Sequence, residues 1–134
     1  MNKKLNKVLL IDDDRPTNFF HEMILRKMGC VGTVESYRGV EEALNHLKEL
    51  EAQNANLPEL IFLDLNMPGL DGWDFIESFR KMDSKTKSEI KIIVLTTSVS
   101  PIERRRALEV PEILDFKNKP LNSQLMEEIL NGHF

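Results

Sequence analysis

The fold of this chain is most constrained by an alternation of short apolar runs with segments of helical spacing. Each run is four or five residues long, which is too short for a helix, and turn-forming residues flank it. The clearest runs are 8–11, 60–63 and 92–95, and weaker candidates, which include polar residues, lie at 33–37 and 113–116. These five runs are predicted to be β-strands.

Between the strands, apolar residues recur every three or four positions, which is the spacing of one face of a helix. The repeats comprise Phe20, Ile24 and Met28; Val40, Ala43, Leu44 and Leu47; Ile76, Phe79 and Met82; and Leu121, Leu125 and Ile129. Five strands that alternate with five helices predict an α/β fold, a doubly wound parallel sheet with helices on both faces.

The composition limits what such a domain can do. With 134 residues, of which 41% are hydrophobic and 30% charged, the chain is predicted to be a single globular domain over residues 1–134, with no effector domain. A net charge of −4 argues against binding to nucleic acid. Apolar runs of four residues fall far short of the about 20 that a membrane span needs, which argues against a membrane partner. Cys30 is the only cysteine, so an internal disulfide is impossible and a reducing, cytoplasmic location is predicted.

Polar side chains follow four of the five predicted strands. They are Asp12, Asp13 and Asp14 after the first strand, Asp64 after the third, Thr96, Thr97 and Ser98 at the end of the fourth, and Lys119 after the fifth. Ligands of open parallel sheets bind outside the carboxyl ends of the strands, where the strand order reverses. These side chains are therefore predicted to converge on one edge of the sheet.

The carboxylates need a reason to lie together. Two unit charges about 4 Å apart repel by roughly 4 kcal/mol at an effective dielectric of about 20. A divalent cation removes that repulsion, and Mg²⁺ binds hard oxygen ligands, typically one or two carboxylates together with phosphate oxygens. The three histidines match no spacing of zinc ligands. The polar edge is therefore interpreted as a Mg²⁺ site that handles a phosphoryl group.

Four sequence motifs resemble those of response-regulator receiver domains of two-component signalling, the family of the chemotaxis response regulator. They are VLLIDDD, IFLDLNMPGLDG, IIVLTTS and NKP, and they occur in the family's order, with compatible spacing, along essentially the whole chain. Any one motif is weak, whereas four in register are specific. The resemblance implies a flavodoxin-like sheet with strand order 2-1-3-4-5 and phosphorylation of the aspartate after the third strand.

The resemblance also implies roles around the acidic cluster. Asp64 would be the phosphoacceptor. Mg²⁺ would be held by Asp64, by Asp13 directly, by Asp12 through water and by the main-chain carbonyl of Asn66. The peptide bond 119–120, between a lysine and a proline, is expected to be cis.

Further residues would bind the phosphoryl group and pass the signal on. The resemblance makes Thr96 the switch hydroxyl and Lys119 the lysine that pairs with phosphate. Phe116 would be the switch aromatic, which rotates inward once Thr96 has moved towards the phosphoryl group. Thr97 and Ser98 would modulate the attack of water, and Thr97 stands where the family usually has a smaller residue.

Partners follow from the same resemblance. The phosphoryl donor would be a phosphohistidine on a sensor histidine kinase or on a histidine phosphotransfer domain. The output would be docking on a downstream protein that the sequence does not name, through the fourth helix, the fifth strand and the fifth helix. A phosphorylation-dependent homodimer through the same face is a further option. Regulation of a target, onward relay of phosphate and a phosphate sink all stay open.

Two other functional classes compete with the phosphorylation switch. A Mg²⁺-dependent aspartyl-phosphate phosphohydrolase would use the same nucleophile, but it needs a second acid two residues later, where this chain has Asn66. A nucleotide- or flavin-binding module is compatible with the fold, but no glycine-rich phosphate loop occurs in the sequence. The switch is the predicted function, with no enzymatic activity beyond the chain's own phosphorylation and dephosphorylation.

Some polar residues near the motifs have simpler interpretations. Asp14 and the pair 71–72 are predicted to form helix caps or turns. The arginine run 104–106 lies on a short predicted helix of an acidic domain, and it is interpreted as a solvated face.

Overall fold

The computed structural model describes residues 4–134, which form five strands and six helices. The strands are β1 (Leu5–Ile11), β2 (Val31–Tyr37), β3 (Leu60–Leu63), β4 (Lys91–Thr96) and β5 (Ile113–Asn118). The helices are α1 (Arg15–Met28), α2 (Val40–Ala52), α3 (Gly72–Phe79), α4 (Ser84–Glu89), α5 (Pro101–Leu108) and α6 (Ser123–His133). Within this described part, no helix has the length and apolar character needed to cross a membrane.

The strands form one parallel sheet in the order β2-β1-β3-β4-β5. This order confirms the predicted doubly wound, flavodoxin-like topology. The strand order reverses between β1 and β3, where Ile11 pairs with Leu63. The residues that follow this pair, Asp12 and Asp64, therefore leave the sheet side by side at its carboxyl edge.

Two apolar clusters hold the helices to the two faces of the sheet. One face packs against α2, α3 and α5, and the other packs against α1 and α6. The four residues of β3 lie between these clusters and are at most 2% exposed. A strand that is covered on both faces has apolar residues in succession rather than in alternation. That is why β3 stands out in the sequence as an uninterrupted apolar run.

Helix α1 buries a face that only partly overlaps the predicted one. The spacing of Phe20, Ile24 and Met28 predicts one apolar face, and Met28 does pack against the core, but Phe20 is 42% exposed. The buried residues of α1 are instead Asn18, His21 and Leu25. Two of these three residues are polar, so a search for apolar periodicity could not find the buried face.

The prediction of five helices is wrong by one. Helix α4 has the sequence SKTKSE, which contains no apolar residue. Its Thr86 is nevertheless buried, and the Thr86 hydroxyl donates a hydrogen bond to the carboxylate of Glu51 on α2. A polar contact between distant segments therefore anchors this helix, and no local pattern in the sequence indicates it.

The predicted helix caps are confirmed. The Asp14 side chain accepts a hydrogen bond from the Thr17 N–H at the start of α1. Asp71 and Asp74 form a reciprocal capping box at the start of α3. The side chains of Asp14 and Asp71 are therefore occupied by helix ends.

Gly72, the first residue of α3, lies where a side chain does not fit. A Cβ atom added to Gly72 would approach the carbonyl oxygen of Asp64 to 2.5 Å and the Cα of Leu65 to 2.7 Å. Both are backbone atoms, so they could give way only if the segment after β3 moved. Helix α3 thus packs directly on the backbone that carries Asp64.

We expect Gly72→Ala to lower the free energy of unfolding by about 1–3 kcal/mol, the usual cost of overpacking. Gly132→Ala is the matched control, because Gly132 lies in α6 and a Cβ added there meets no atom within 4 Å. Alanine within a helix is more stable than glycine by about 0.5–1 kcal/mol. Urea unfolding of both variants is the measurement, and equal stabilities would contradict the steric argument.

Candidate functional site

Three carboxylates form a cluster at the carboxyl edge of the sheet. Asp12 and Asp13 follow β1, Asp64 follows β3, and one oxygen of each lies within 4.8 Å of the other two. Asp12 and Asp64 are only 5% and 6% exposed. The backbone holds both in place: the Asp64 N–H donates to the Ile11 carbonyl at 2.9 Å, and the Asp12 N–H donates to the Tyr37 carbonyl at 3.1 Å. The structure thus brings the predicted acidic residues together.

Lys119 carries a positive charge into this cluster from the segment after β5. Its Nζ lies 2.5 Å from Asp12 Oδ2 and 3.5 Å from Asp64 Oδ2. Its own N–H donates to the Thr96 carbonyl at 2.8 Å, and the Lys119–Pro120 peptide is cis, as expected. Two buried carboxylates can lie side by side here because the amine contacts both of them.

Burial controls the acidity of Asp64. Loss of solvation raises the pKa of Asp64 to about 6, while the Lys119 amine opposes the shift and the Asp12 carboxylate adds to it. A hydrogen bond from the Asn66 N–H to Asp64 Oδ1, at 3.3 Å, favours the ionised form. Asp64 is therefore mainly ionised near neutral pH, and its charge is poorly solvated.

Thr96, the last residue of β4, is fully buried. Its Oγ1 accepts a hydrogen bond from the Ser98 N–H at 3.1 Å, and a hydroxyl that accepts in this way can still donate its own proton. Asn118 holds the same loop, because its Nδ2 donates a hydrogen bond to the Ser98 carbonyl at 2.7 Å. Thr97, which lies between Thr96 and Ser98 in the sequence, is exposed.

Phe116 on β5 is 2% exposed and packs in the core. Arg104 Nη1 donates to the Phe116 carbonyl at 2.9 Å, and the Arg104 guanidinium lies 5.7 Å from the centre of the Phe116 ring. Phe116 therefore already occupies the inward position that the resemblance implies only after phosphorylation. Arg106 lies 3.9 Å over the Trp73 ring. The arginine run is exposed, as predicted of a solvated face, but two of its members make specific contacts that the sequence did not indicate.

The sequence interpretation missed three polar residues that support the cluster, namely Asn18, His21 and Asn118. Asn18 Nδ2 donates to the Asp12 carbonyl at 2.8 Å, and His21 Nε2 accepts from the Leu121 N–H at 3.1 Å. Asn118 has a signal in the sequence, since it is the first residue of the NKP motif. Asn18 and His21 have one only after the buried face of α1 is known.

The donor set of the cluster fits Mg²⁺. All three side chains offer hard carboxylate oxygens, and these lie close enough together for one ion to contact several of them. None of the three is a thiolate or an imidazole, the ligands that are typical of zinc. The main-chain carbonyl of Asn66 as a further ligand stays a prediction.

Comparison with known proteins identifies the family. The family described as "Response regulator receiver domain" matches residues 8–131. This chain belongs to that family. The two-component response regulator ARR22 of Arabidopsis thaliana is 31% identical to this chain. The alignment covers the whole of this chain and 87% of that protein. The crystal structure of a two-component response regulator from Cytophaga hutchinsonii is similar, with a TM-score of 0.88 and 31% identity over 96% of both chains.

Another relative extends beyond the matched region. The probable methanogenesis regulatory protein FilR2 of Methanothrix harundinacea is 30% identical over 75% of this chain, and the matched region spans 63% of that relative. The receiver domain is the phosphorylation-dependent signalling switch of two-component systems, and it interacts with histidine kinases or phosphotransfer partners. Membership of this receiver family therefore makes the chain a signalling switch and does not favour the phosphohydrolase alternative.

The burial of Asp64 makes a prediction about stability. Because the folded-state pKa of Asp64 lies above its usual value, the folded chain takes up a proton more readily than the unfolded chain and gains stability as the pH falls through about 6. Asp64→Asn removes the poorly solvated charge at every pH. Without divalent cations, this variant should be more stable than wild type near pH 8 by about 1–2 kcal/mol. The pKa of Asp64 rises from 3.8 to about 6, each pKa unit is worth about 1.4 kcal/mol, and solvent screening reduces the total.

The advantage of Asp64→Asn should shrink near pH 5, where the wild-type carboxyl is largely protonated. Urea unfolding of both proteins at the two pH values is the measurement. An advantage of the same size at both values would contradict the argument.

Proposed function

We propose that Asp64 is the residue at which this receiver domain takes its phosphoryl group. The observation that supports this most directly is the environment of Asp64, a buried carboxylate beside two others and 3.5 Å from the Lys119 amine. Asp71, seven positions further along, is engaged in a helix cap. The donor would be a phosphohistidine on a histidine kinase or a phosphotransfer domain.

Residues of the chain account for the transfer itself. An ionised Asp64 oxygen attacks phosphorus, the P–N bond to the donor imidazole breaks, and its electron pair returns to the ring, which takes a proton from water. The product is an acyl phosphate on Asp64. A pKa of about 6 leaves this carboxylate mostly ionised near neutral pH, so the attack needs no general base. Lys119 would pair with a phosphoryl oxygen.

Mg²⁺ would be held by the carboxylates of Asp12, Asp13 and Asp64, with the carbonyl of Asn66 as a further ligand. When bound, the ion offsets the negative charge of the carboxylates and of the phosphoryl oxygens. Asp13 is half-buried, whereas Asp12 and Asp64 are buried. The greater exposure of Asp13 suits a direct ligand that an ion reaches from solvent.

Thr96 and Phe116 would convert phosphorylation into a signal. The Thr96 hydroxyl would donate to a phosphoryl oxygen while it still accepts from the Ser98 N–H. The Phe116 side chain is already buried, and its carbonyl accepts a hydrogen bond from Arg104. Phosphorylation would therefore stabilise this inward arrangement rather than create it. The hydrogen bond from Thr96 to a charged phosphoryl oxygen would supply about 1.5–3 kcal/mol towards this stabilisation, and the pairing of Lys119 with phosphate would add to it.

The output would leave through the face formed by α5, β5 and α6, next to Phe116. Helix α5 carries Ile102, an apolar residue that is 78% exposed. A downstream protein, or a second phosphorylated copy of the chain, would dock here. The cytoplasmic location stays a prediction.

The lifetime of the phosphoryl group would depend on the rim of the site. Thr97 lies there with Lys119 and Pro120, around a cavity of 390 Å³. Neither Thr97 nor Ser98 carries a charge that could activate water, and Asn66 is also neutral. Self-dephosphorylation would therefore be slow.

Acetyl phosphate with Mg²⁺ should add one phosphoryl group to the wild-type chain, because the receiver carries the groups that stabilise the transfer. The adduct should be labile to hydroxylamine, as an acyl phosphate is. Asp71→Asn should be modified like wild type, since asparagine is an equally good cap. Asp64→Ala should stay unmodified in intact-mass spectrometry, and wild-type modification of this variant would refute the role of Asp64.

Mg²⁺ should raise the melting temperature of the wild-type chain, because it binds the folded cluster and not the unfolded chain. At 100 times its Kd, a ligand of this kind stabilises by about 2.7 kcal/mol. Asp13→Asn should lose most of the rise. Asp14→Asn is the matched control, since it removes a neighbouring charge outside the cluster and keeps the cap.

Melting of the three proteins in Mg²⁺ and in a chelator is the measurement. An equal Mg²⁺ response in the two variants would contradict the assignment of Asp13 as a ligand.

A further inference from the structure

Two polar side chains of α1 are buried beneath the acidic cluster. Asn18 is 3% exposed and His21 is 2% exposed, and they lie three positions apart on the face that packs against the sheet. An apolar residue at either position would fill the space without the cost of burying a polar group. Each of the two side chains makes a hydrogen bond to a backbone segment that carries a charged group of the site.

Asn18 bonds to the residue that opens the acidic cluster. Its Nδ2 donates to the main-chain carbonyl of Asp12 at 2.8 Å. Its Oδ1 is buried without a hydrogen-bond partner among the described residues. Asn18, His21, Asp12 and Asp64 also line a cavity of about 10 Å³, which is close to the space that one water molecule needs. Asn18 thus fixes the backbone of Asp12 from the side opposite to solvent.

His21 bonds to the segment that carries the lysine. Its Nε2 accepts from the N–H of Leu121, a residue 100 positions away in the sequence and two after Lys119. Burial lowers the pKa of His21 to about 4, against the opposing effect of the Asp12 carboxylate, so the ring is neutral and has a lone pair to accept with.

Two hydrogen bonds therefore hold the backbone around Lys119. Its own N–H donates to the Thr96 carbonyl at 2.8 Å, and the Leu121 N–H donates to His21 at 3.1 Å. The Thr96 bond belongs to the end of β4, and the His21 bond belongs to α1. The backbone on either side of the lysine thus has a separate hydrogen-bond anchor.

We propose that Asn18 and His21 are positioning residues, with Asn18 setting Asp12 for the cation and His21 setting Lys119 for the phosphoryl group. This rests on the proposed function, because it assumes that Lys119 contacts a phosphoryl group bound at Asp64. Residues that orient the groups of a metal or catalytic site typically change affinity by about 10–100-fold when they are replaced. Replacement of Asn18 should therefore weaken the binding of Mg²⁺, and replacement of His21 should weaken the binding of a phosphoryl group.

The test measures two affinities by titration calorimetry: that of Mg²⁺ alone, and that of beryllofluoride, a phosphoryl mimic, at saturating Mg²⁺. His21→Leu removes the acceptor for Leu121 and should weaken beryllofluoride by about tenfold or more. Its Mg²⁺ affinity should stay within about twofold of wild type, since the Asn18–Asp12 bond is intact. Asn18→Leu should weaken Mg²⁺ itself by about tenfold.

Two further variants separate positioning from packing. His21→Gln places an amide oxygen where Nε2 accepts, so it should restore most of the beryllofluoride affinity. Leu25→Ala creates a cavity on the same buried face of α1 without touching the polar contacts, so it should lower stability and leave both affinities near wild type.

Wild-type beryllofluoride affinity in His21→Leu would overturn the role of His21, and wild-type Mg²⁺ affinity in Asn18→Leu would overturn that of Asn18. An equal loss in His21→Gln and His21→Leu, or the same loss in Leu25→Ala, would show that packing rather than the hydrogen bond matters. A wild-type chain that binds Mg²⁺ but not beryllofluoride would instead overturn the proposed function, and the inference with it.

Discussion

Repulsion among three carboxylates is the constraint on which the rest of this structure depends. Asp12, Asp13 and Asp64 bring oxygens within 4.8 Å of one another, and two of the three side chains are buried. Ions of one sign are tolerated in such a place only if a counter-charge and hydrogen bonds compensate them. Lys119 supplies the counter-charge from the far end of the chain, at 2.5 Å from Asp12. One amine cannot balance three carboxylates, so the site favours a cation.

The sheet makes this arrangement rigid. β1 and β3 are neighbours at the reversal of strand order, and the pairing of Ile11 with Leu63 sets where the two aspartates leave the sheet. A slip of one residue would turn every side chain of β3 to the opposite face and would draw Glu59 or Asp64 between the two apolar layers, where a charge is costly. Gly72 then lets α3 approach the Asp64 backbone closely. Asp64 thus lies directly after a strand that is packed on both faces.

Hydrogen bonds between neighbouring elements link the groups around the cluster to the surface of the molecule. Thr96 is linked to its loop through the Ser98 N–H, and Phe116 is linked to α5 through Arg104. These contacts join the end of β4, β5 and α5 into one surface next to the site. Hydrogen bonds thus connect the end of β4, next to the acidic cluster, with β5 and the exposed helix α5.

The sequence by itself determined the strands, the alternation with helices and the acidic edge, because buried strands are apolar runs and a carboxylate such as Asp64 at the end of one is conspicuous. The strand order and the residue roles came from the resemblance of four motifs to a family. Only the tertiary structure decided the buried face of α1, the existence of α4 and the inward position of Phe116. Each depends on a contact between distant segments, such as His21 with Leu121, 100 residues apart. The periodicity of a local segment carries no information about such a contact, since its energy arises only when the two segments meet.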